Sequence, residues 1–339
     1  MAELTLGVVD QSPVRTGGTG ADAVRETLEL ARVCERLGYA RYWLAEHHST
    51  NSFAGTAPEV LIARVAAETR TMRVGSGGVL LTHYSPFKVA EQFRMLETLF
   101  PGRIDLGLGR APGGDVRTVQ ALQYGRGPLP IELFPRQVED LLGWLGNTFG
   151  KRAEPWGRVR AMPRGDSVPE VWLLGSGGSS ARVAAELGCG YAYAQFISGE
   201  DGAASARDYQ ARFRPSARLA APRTIVALAV VCAETREEAR RLASGVEVWR
   251  RRIARGFDRG IPAPEEALAE LDEGWSPPPV GTDGARMIAG TPDEVRGELH
   301  RVAARYGADE VLIVTVTHDF AARLRSYALI AEAMGKGSA

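Results

Sequence analysis

Along the chain, short apolar runs alternate with longer stretches in which apolar residues recur every three or four positions. Near-continuous runs of aliphatic, β-branched and aromatic residues read as strands buried on both faces. They fall at 4–10 (LTLGVVD), 41–48 (RYWLAEHH), 72–81, 102–111, 169–178, 190–196, 223–233 and 309–316. Between them the 3.6-residue period predicts helices at 22–38, from Pro58, from Pro86, near 136–148, at 179–188, near 203–214 and at 235–255. Two more follow: one with Thr291 as N-cap and Pro292 in its first turn, the other at 320–334.

Strands that alternate with helices predict parallel βα units, and eight of them predict a closed (β/α)8 TIM barrel. An open doubly wound sheet is the alternative. Two irregular excursions, 112–135 and 259–290, follow the fourth and seventh strands. As insertions there, they are expected to cap the C-terminal barrel face. No repeat of 20–50 residues and no Ser/Gly linker divides the chain, so residues 1–339 are expected to form one domain.

Composition narrows the function. Lys plus Arg and Asp plus Glu number 41 each, which leaves no electrostatic footprint for a nucleic acid or an anionic membrane. The arginine cluster Trp249–Arg255 reads as a solvated helix face. No run reaches the ~18 apolar residues of a membrane span, and the first residues do not resemble a secretory signal. Cys34, Cys189 and Cys232 show no CxxC spacing and read as small core residues of a reduced, cytoplasmic protein.

In a βα barrel the chemistry collects at the strand C-termini. Asp10, Gln11 and Ser12 follow the first strand, and Glu46, His47 and His48 the second. The third carries Gly75, Gly77 and Gly78 and is followed by Thr82 and His83. Arg110 and Gly113–Gly114 follow the fourth, "GSGGSS" (175–180) the fifth, Gln195 and Phe196 the sixth, and Thr317, His318 and Asp319 the eighth. Four of the five histidines thus lie at one end. Gly175, Ser176, Gly177, Gly178 and Ser179 join a buried strand to a helix N-terminus, where glycines admit close approach and free N–H groups favour an anion. Arg110 could add a bidentate contact to a phosphate. A tight strand-to-helix turn is the plainer alternative. The segment is no dinucleotide fingerprint, because Ser180 stands where GxGxxG needs glycine, and "GLGRAP" fails likewise at Pro112.

Gly77–Gly78 inside a strand marks either close approach of a ligand or a bend at a barrel corner. For His47 and His48 a metal site is one reading. It lacks an evident third ligand, and adjacent strand residues point to opposite faces. A purely structural histidine pair is another reading.

The segments "YWLAEHH", "VGSGGVLLTHYSPFKVAEQFRMLETLFPGRIDLGLGRAPG" and "GSGGSS" together resemble the bacterial-luciferase-like flavin monooxygenases, in order and over most of the chain. The C-terminal "VLIVTVTHDFAARLRSYALIAEA" resembles the subgroup of polyketide-tailoring oxygenases such as that of mensacarcin biosynthesis. The resemblance implies a (β/α)8 barrel that uses reduced FMN, supplied by a separate NAD(P)H:flavin reductase, to activate O2 through a flavin C4a-hydroperoxide. The oxygen acceptor is then a small organic molecule, hydroxylated or epoxidised. The resemblance further implies that His47 is the essential catalytic histidine, with Glu46 and His48 orienting it or lining the pocket. Gly77–Gly78 would form a non-proline cis peptide beneath the flavin ring. Arg110, Ser176 and Ser179 would hold its phosphate. Gly175 departs from luciferase, which has a glutamate there. The family also suggests a homodimer through the helices after strands two and three. An F420-dependent dehydrogenase of the same superfamily and a non-catalytic flavin-binding protein are the alternatives; His83, Gln195 and His318 are weaker candidates for the pocket rim.

Overall fold

Strands with both faces apolar need cover inside and out, and a ring of parallel strands wrapped in helices provides it. The computed structural model describes residues 4–111, 113–124, 130–146, 148 and 156–337. The strands are β1 (Thr5–Asp10), β2 (Arg41–Leu44), β3 (Arg73–Ser76), β4 (Val79–Leu80), β5 (Ile104–Gly109), β6 (Glu170–Gly175), β7 (Gly190–Ala194), β8 (Thr224–Cys232), β9 (Met287–Gly290) and β10 (Glu310–Val314). The pairings among these strands are parallel, in the order β10-β1-β2-β3-β5-β6-β7-β8, and β10 pairs with β8 to close the ring. The result is a closed eight-stranded barrel, the (β/α)8 fold expected from the pattern.

The helices are α1 (Gly20–Arg36), α2 (Pro58–Glu68), α3 (Pro86–Leu99), α4 (Val116–Leu122), α5 (Phe134–Leu145), α6 (Gly178–Leu187), α7 (Gln195–Ser198), α8 (Ala203–Arg212), α9 (Arg236–Ala254), α10 (Pro264–Glu270), α11 (Pro292–Tyr306) and α12 (Phe320–Ala333). Thr291 caps α11 in a capping box with Glu294. None of the described helices is long and apolar enough to cross a membrane.

Alternation along each strand separates two apolar layers. On β1 and β2, Val8 and Tyr42 pack outward with the helix layer, while Val9 and Trp43 belong to a separate cluster with Trp172, Ala227 and Leu312. Cys34, Cys189 and Cys232 are free and buried. A charged network occupies the opposite end, where the strands begin. Buried Arg41 ion-pairs with Asp105 and, at 2.7 Å, with Glu310, and Arg73 reaches Asp105 at 2.6 Å. Trp43 donates its indole N–H to the same Asp105 carboxylate at 2.9 Å.

Several boundaries differ from the expectation. β2 stops at Leu44, four residues early. There the His47 N–H turns to the Gly55 carbonyl at 2.8 Å instead of joining a strand ladder. The predicted third strand is split into β3 and β4 by a cis peptide at Gly77–Gly78, and both pieces lie along β5. Gln195 and Phe196, read as the end of a strand, open the one-turn α7. The 259–290 excursion contains α10 and an additional strand, β9, which pairs with the last four residues of β8, beyond the residues of β8 that pair with β7. A four-residue run after a Gly/Pro-rich stretch carries too little period to be read alone. Pro112 and residues 125–129 of the first excursion, and residue 147 of the predicted 136–148 helix, lie outside the described residues.

Candidate active site

Every barrel strand delivers a residue to one cavity of about 480 Å³ over the strand C-termini. Val9, Trp43, Leu80, Gly109, Leu174, Ala192, Ala227 and Leu312 form its floor and walls. A second cavity of about 570 Å³ adjoins it, with Gln11, His47, Gly113, Phe196 and Ile197 lining both. Both volumes fall within the range of small-molecule sites, roughly 300–1,000 Å³.

His47 stands at this junction. Its ring lies 4.7 Å from that of Phe53, and its Nδ1 is buried without a hydrogen-bond partner among the described residues. Burial, and secondarily the neighbouring His48, lower its pKa from 6.5 to about 4. An imidazolium there would hold an unpaired buried N–H, so His47 is neutral at pH 7.

Glu46 and His48 are placed differently. The Glu46 carboxylate accepts from the Leu80 N–H at 3.0 Å, the Tyr84 hydroxyl at 2.6 Å and His48 Nε2 at 2.7 Å. It cross-links the loop after β2 to the end of the split strand, and thereby fixes the backbone on which His47 sits. His48 folds back onto Glu46 and reaches only the second cavity. The two imidazoles are thus separated by a loop path and by a carboxylate, not by strand parity. Among the described residues no group of three His, Cys, Asp or Glu side chains is arranged to hold a metal.

The phosphate-type features share the first cavity. Gly175, Ser176, Gly177 and Ser179 line it, as does Ser180, which sequence reasoning did not select; Gly178 opens α6 without lining it. Gly177 is the N-cap of α6 and supplies no capping side chain, so the first-turn N–H groups lack that partner. Arg110 also lines this cavity, and among the described residues no carboxylate pairs with it. Gly175 is dictated by packing: a Cβ there would stand 2.8 Å from Ser180 Oγ. Gly77 and Gly78 line the cavity as well. A Cβ on Gly77 would meet Trp43 at 2.9 Å, and one on Gly78 would meet the Gly107 carbonyl oxygen at 2.8 Å. The strands therefore crowd at both glycines, and the same backbone lines the cavity.

The weaker candidates fall outside. Gln195 accepts from the Tyr306 hydroxyl, and His318 Nδ1 lies 3.0 Å from the Ile261 carbonyl oxygen. His83 is buried beside His48, with ring centroids 6.5 Å apart, and lines neither cavity. Asp10, also at a strand end, is committed elsewhere: it pairs with Arg323 at 2.7 Å and accepts from Tyr42 at 2.5 Å. The arginine cluster is not a uniformly solvated face, because Trp249 and Arg250 both line the second cavity.

A sequence model described as luciferase-like monooxygenase matches residues 4–310. The chain belongs to the luciferase-like monooxygenase family. It is 38% identical over 330 residues to the luciferase-like monooxygenase of Escherichia coli (strain K12), an overlap spanning 96% of each chain. It is 36% identical over 335 residues to the N-acetyl-S-alkylcysteine monooxygenase of Bacillus subtilis (strain 168), with 98% of each covered. The crystal structure of apo-MsnO8 superposes with a TM-score of 0.90 at 42% identity, covering 98% of both chains. In this family member, the cavity pair, His47 and the Arg110/α6 end occupy a single barrel mouth.

Proposed function

We propose that this chain is a monooxygenase that takes reduced FMN from a separate NAD(P)H:flavin reductase and uses O2 to oxygenate a small organic substrate. The observation that carries this reading is the position of His47 between two adjoining cavities, one with an anion-binding end and one with an apolar wall. The first cavity fits FMN by its donor set. Arg110, unpaired among the described residues, the uncapped start of α6 and the hydroxyls of Ser176 and Ser179 suit a phosphate. Bare backbone at Gly77–Gly78 suits a flat ring. When bound, reduced flavin supplies the two electrons with which one oxygen atom of O2 enters the substrate and the other leaves as water.

The chain's own residues do the rest. Arg110 and α6 hold the anionic end of the cofactor. The buried Nδ1 of His47 leaves Nε2 as the atom that holds or moves a proton, with the neutral ring as resting state. Glu46, through its bonds to Leu80 and Tyr84, positions that ring and does not itself react. Phe53 and Trp249, 5.1 Å apart, wall the second cavity and keep water from the junction. A homodimer through α2 and α3 belongs to the same proposal, supported by exposed Val60, Met95 and Leu99 on those helices.

The test supplies the protein with FMN, a flavin reductase, NADH, 18O2 and a panel of thioethers, aldehydes and aromatic polyketides. Mass spectrometry is expected to find one labelled atom in a product, and the Arg110→Gln variant to need at least about tenfold more FMN. Turnover under anaerobic conditions with F420, and none with FMN, would replace this reading with a dehydrogenase. Tight flavin binding without any turnover would make the chain a flavin carrier.

A further inference from the structure

The second cavity continues outward into an open cleft of about 550 Å³, and Arg250 and Arg286 line both. Arg250 is on α9 and partly buried; Arg286 stands just before β9 and is exposed. Among the described residues Arg250 forms no hydrogen bond or ion pair, and the only hydrogen bond of Arg286 runs to the Ser198 carbonyl at 3.3 Å. Burial lowers the Arg250 pKa most; the Glu247 carboxylate opposes this through space, and the guanidinium of Arg286 lies close enough to add to the lowering.

The acids nearby make their direct contacts with other groups, although Glu247 still attracts Arg250 through space. Glu247 pairs with Arg251 at 3.0 Å, and Asp283 with Arg301 at 2.6 Å and Arg305 at 3.1 Å. Asp258 accepts from the Thr50 hydroxyl, the Asn51 N–H and the Ser52 hydroxyl at 2.6–3.0 Å. Two cations side by side, one of them partly desolvated, repel unless an anion lies between them. Inward of this pair the wall is apolar, formed by Phe53, Val231, Val246, Trp249, Met287 and Val316, and His47 closes the inner end.

We infer that the substrate is an amphipathic anion: its apolar body fills the second cavity and points toward His47, and Arg250 with Arg286 binds a carboxylate or phosphate at the outer mouth. This specifies the substrate class of the monooxygenase reading and rests on it only for which end reacts. Planar guanidiniums bind either head group bidentately, and such a contact is worth about tenfold or more in affinity.

Isothermal titration of the full chain with octanoate, octyl phosphate and 1-octanol tests it, with FMN binding measured by flavin fluorescence on the same samples. At least one anion is expected to bind about tenfold or more tightly than the alcohol, with the stronger anion identifying the head group. In R286Q, and further in R250Q/R286Q, the preference is expected to fall to about twofold or less, with octanol affinity kept. Equal binding of alcohol and both anions by the wild type, or a preference that survives R250Q/R286Q, overturns the inference. R286Q alters an exposed side chain, so it carries the test if R250Q lowers the melting temperature. Lost anion preference with intact FMN binding defeats the substrate class alone; intact preference without FMN binding defeats the flavin reading alone.

Discussion

A buried imidazole with no partner on Nδ1 is easier to leave neutral than to protonate, and among the described residues His47 is in that position. Its pKa of about 4 lies below the unfolded value near 6.5, so the unfolded chain binds the extra proton first. Stability linked to this group is therefore complete above about pH 6.5 and falls as the pH drops toward 4. Denaturation at pH 7 and pH 5 is expected to show a larger loss for the wild type than for His47→Asn, which has nothing to titrate. For turnover, the limb of kcat/KM due to His47 is expected near pH 4. His47→Asn is expected to lower kcat by at least about 100-fold while FMN still binds.

The split strand and its neighbour are the elements that shape the first cavity. β3 and β5 approach so closely that a Cβ on Gly107 would stand 2.1 Å from the Ser76 carbonyl oxygen and 2.9 Å from Leu174. Neither the backbone nor a packed leucine can yield that distance cheaply. Gly107→Ala is expected to cost about 1–3 kcal/mol in denaturant unfolding. Because the displaced strand carries the cavity-lining Gly77 and Gly78, FMN affinity measured by fluorescence is expected to fall with it. In the sequence the two glycines read as either a ligand contact or a barrel-corner bend, and strand crowding alone requires at least Gly78.

Across the whole molecule the two barrel ends divide the work. The C-terminal end carries both cavities, and the opposite end carries the Arg41–Asp105–Glu310 network, where Asp105 also receives Arg73 and Trp43. Removing one partner of a buried pair leaves an uncompensated charge, at a cost of about 3–5 kcal/mol. Asp105→Ala is expected to lower the melting temperature steeply. At a temperature where the variant remains folded, the kcat of the folded fraction should be close to wild type. A kcat that fell as far as in His47→Asn would contradict this division.

The eight βα units were legible because each strand run is apolar on both faces and each helix carries a 3.6-residue period, and those periods are local properties. So were the residues at the strand ends, and with them His47, Arg110 and the start of α6. What the linear order could not contain was contact between distant segments. Gly175 owes its lack of a side chain to Ser180, and Glu46 is held by Leu80 and Tyr84. Trp249 and Arg250, more than 200 residues from His47 and part of what reads as a solvated arginine helix, reach the same cavity only because the barrel closes. The pKa of His47 likewise depends on which atoms surround it. Local pattern sufficed to determine the barrel and the end at which its two cavities open. Tertiary packing decided which of the neighbouring acids and bases remain free to act, because burial and pairing are set by segments far apart in the chain.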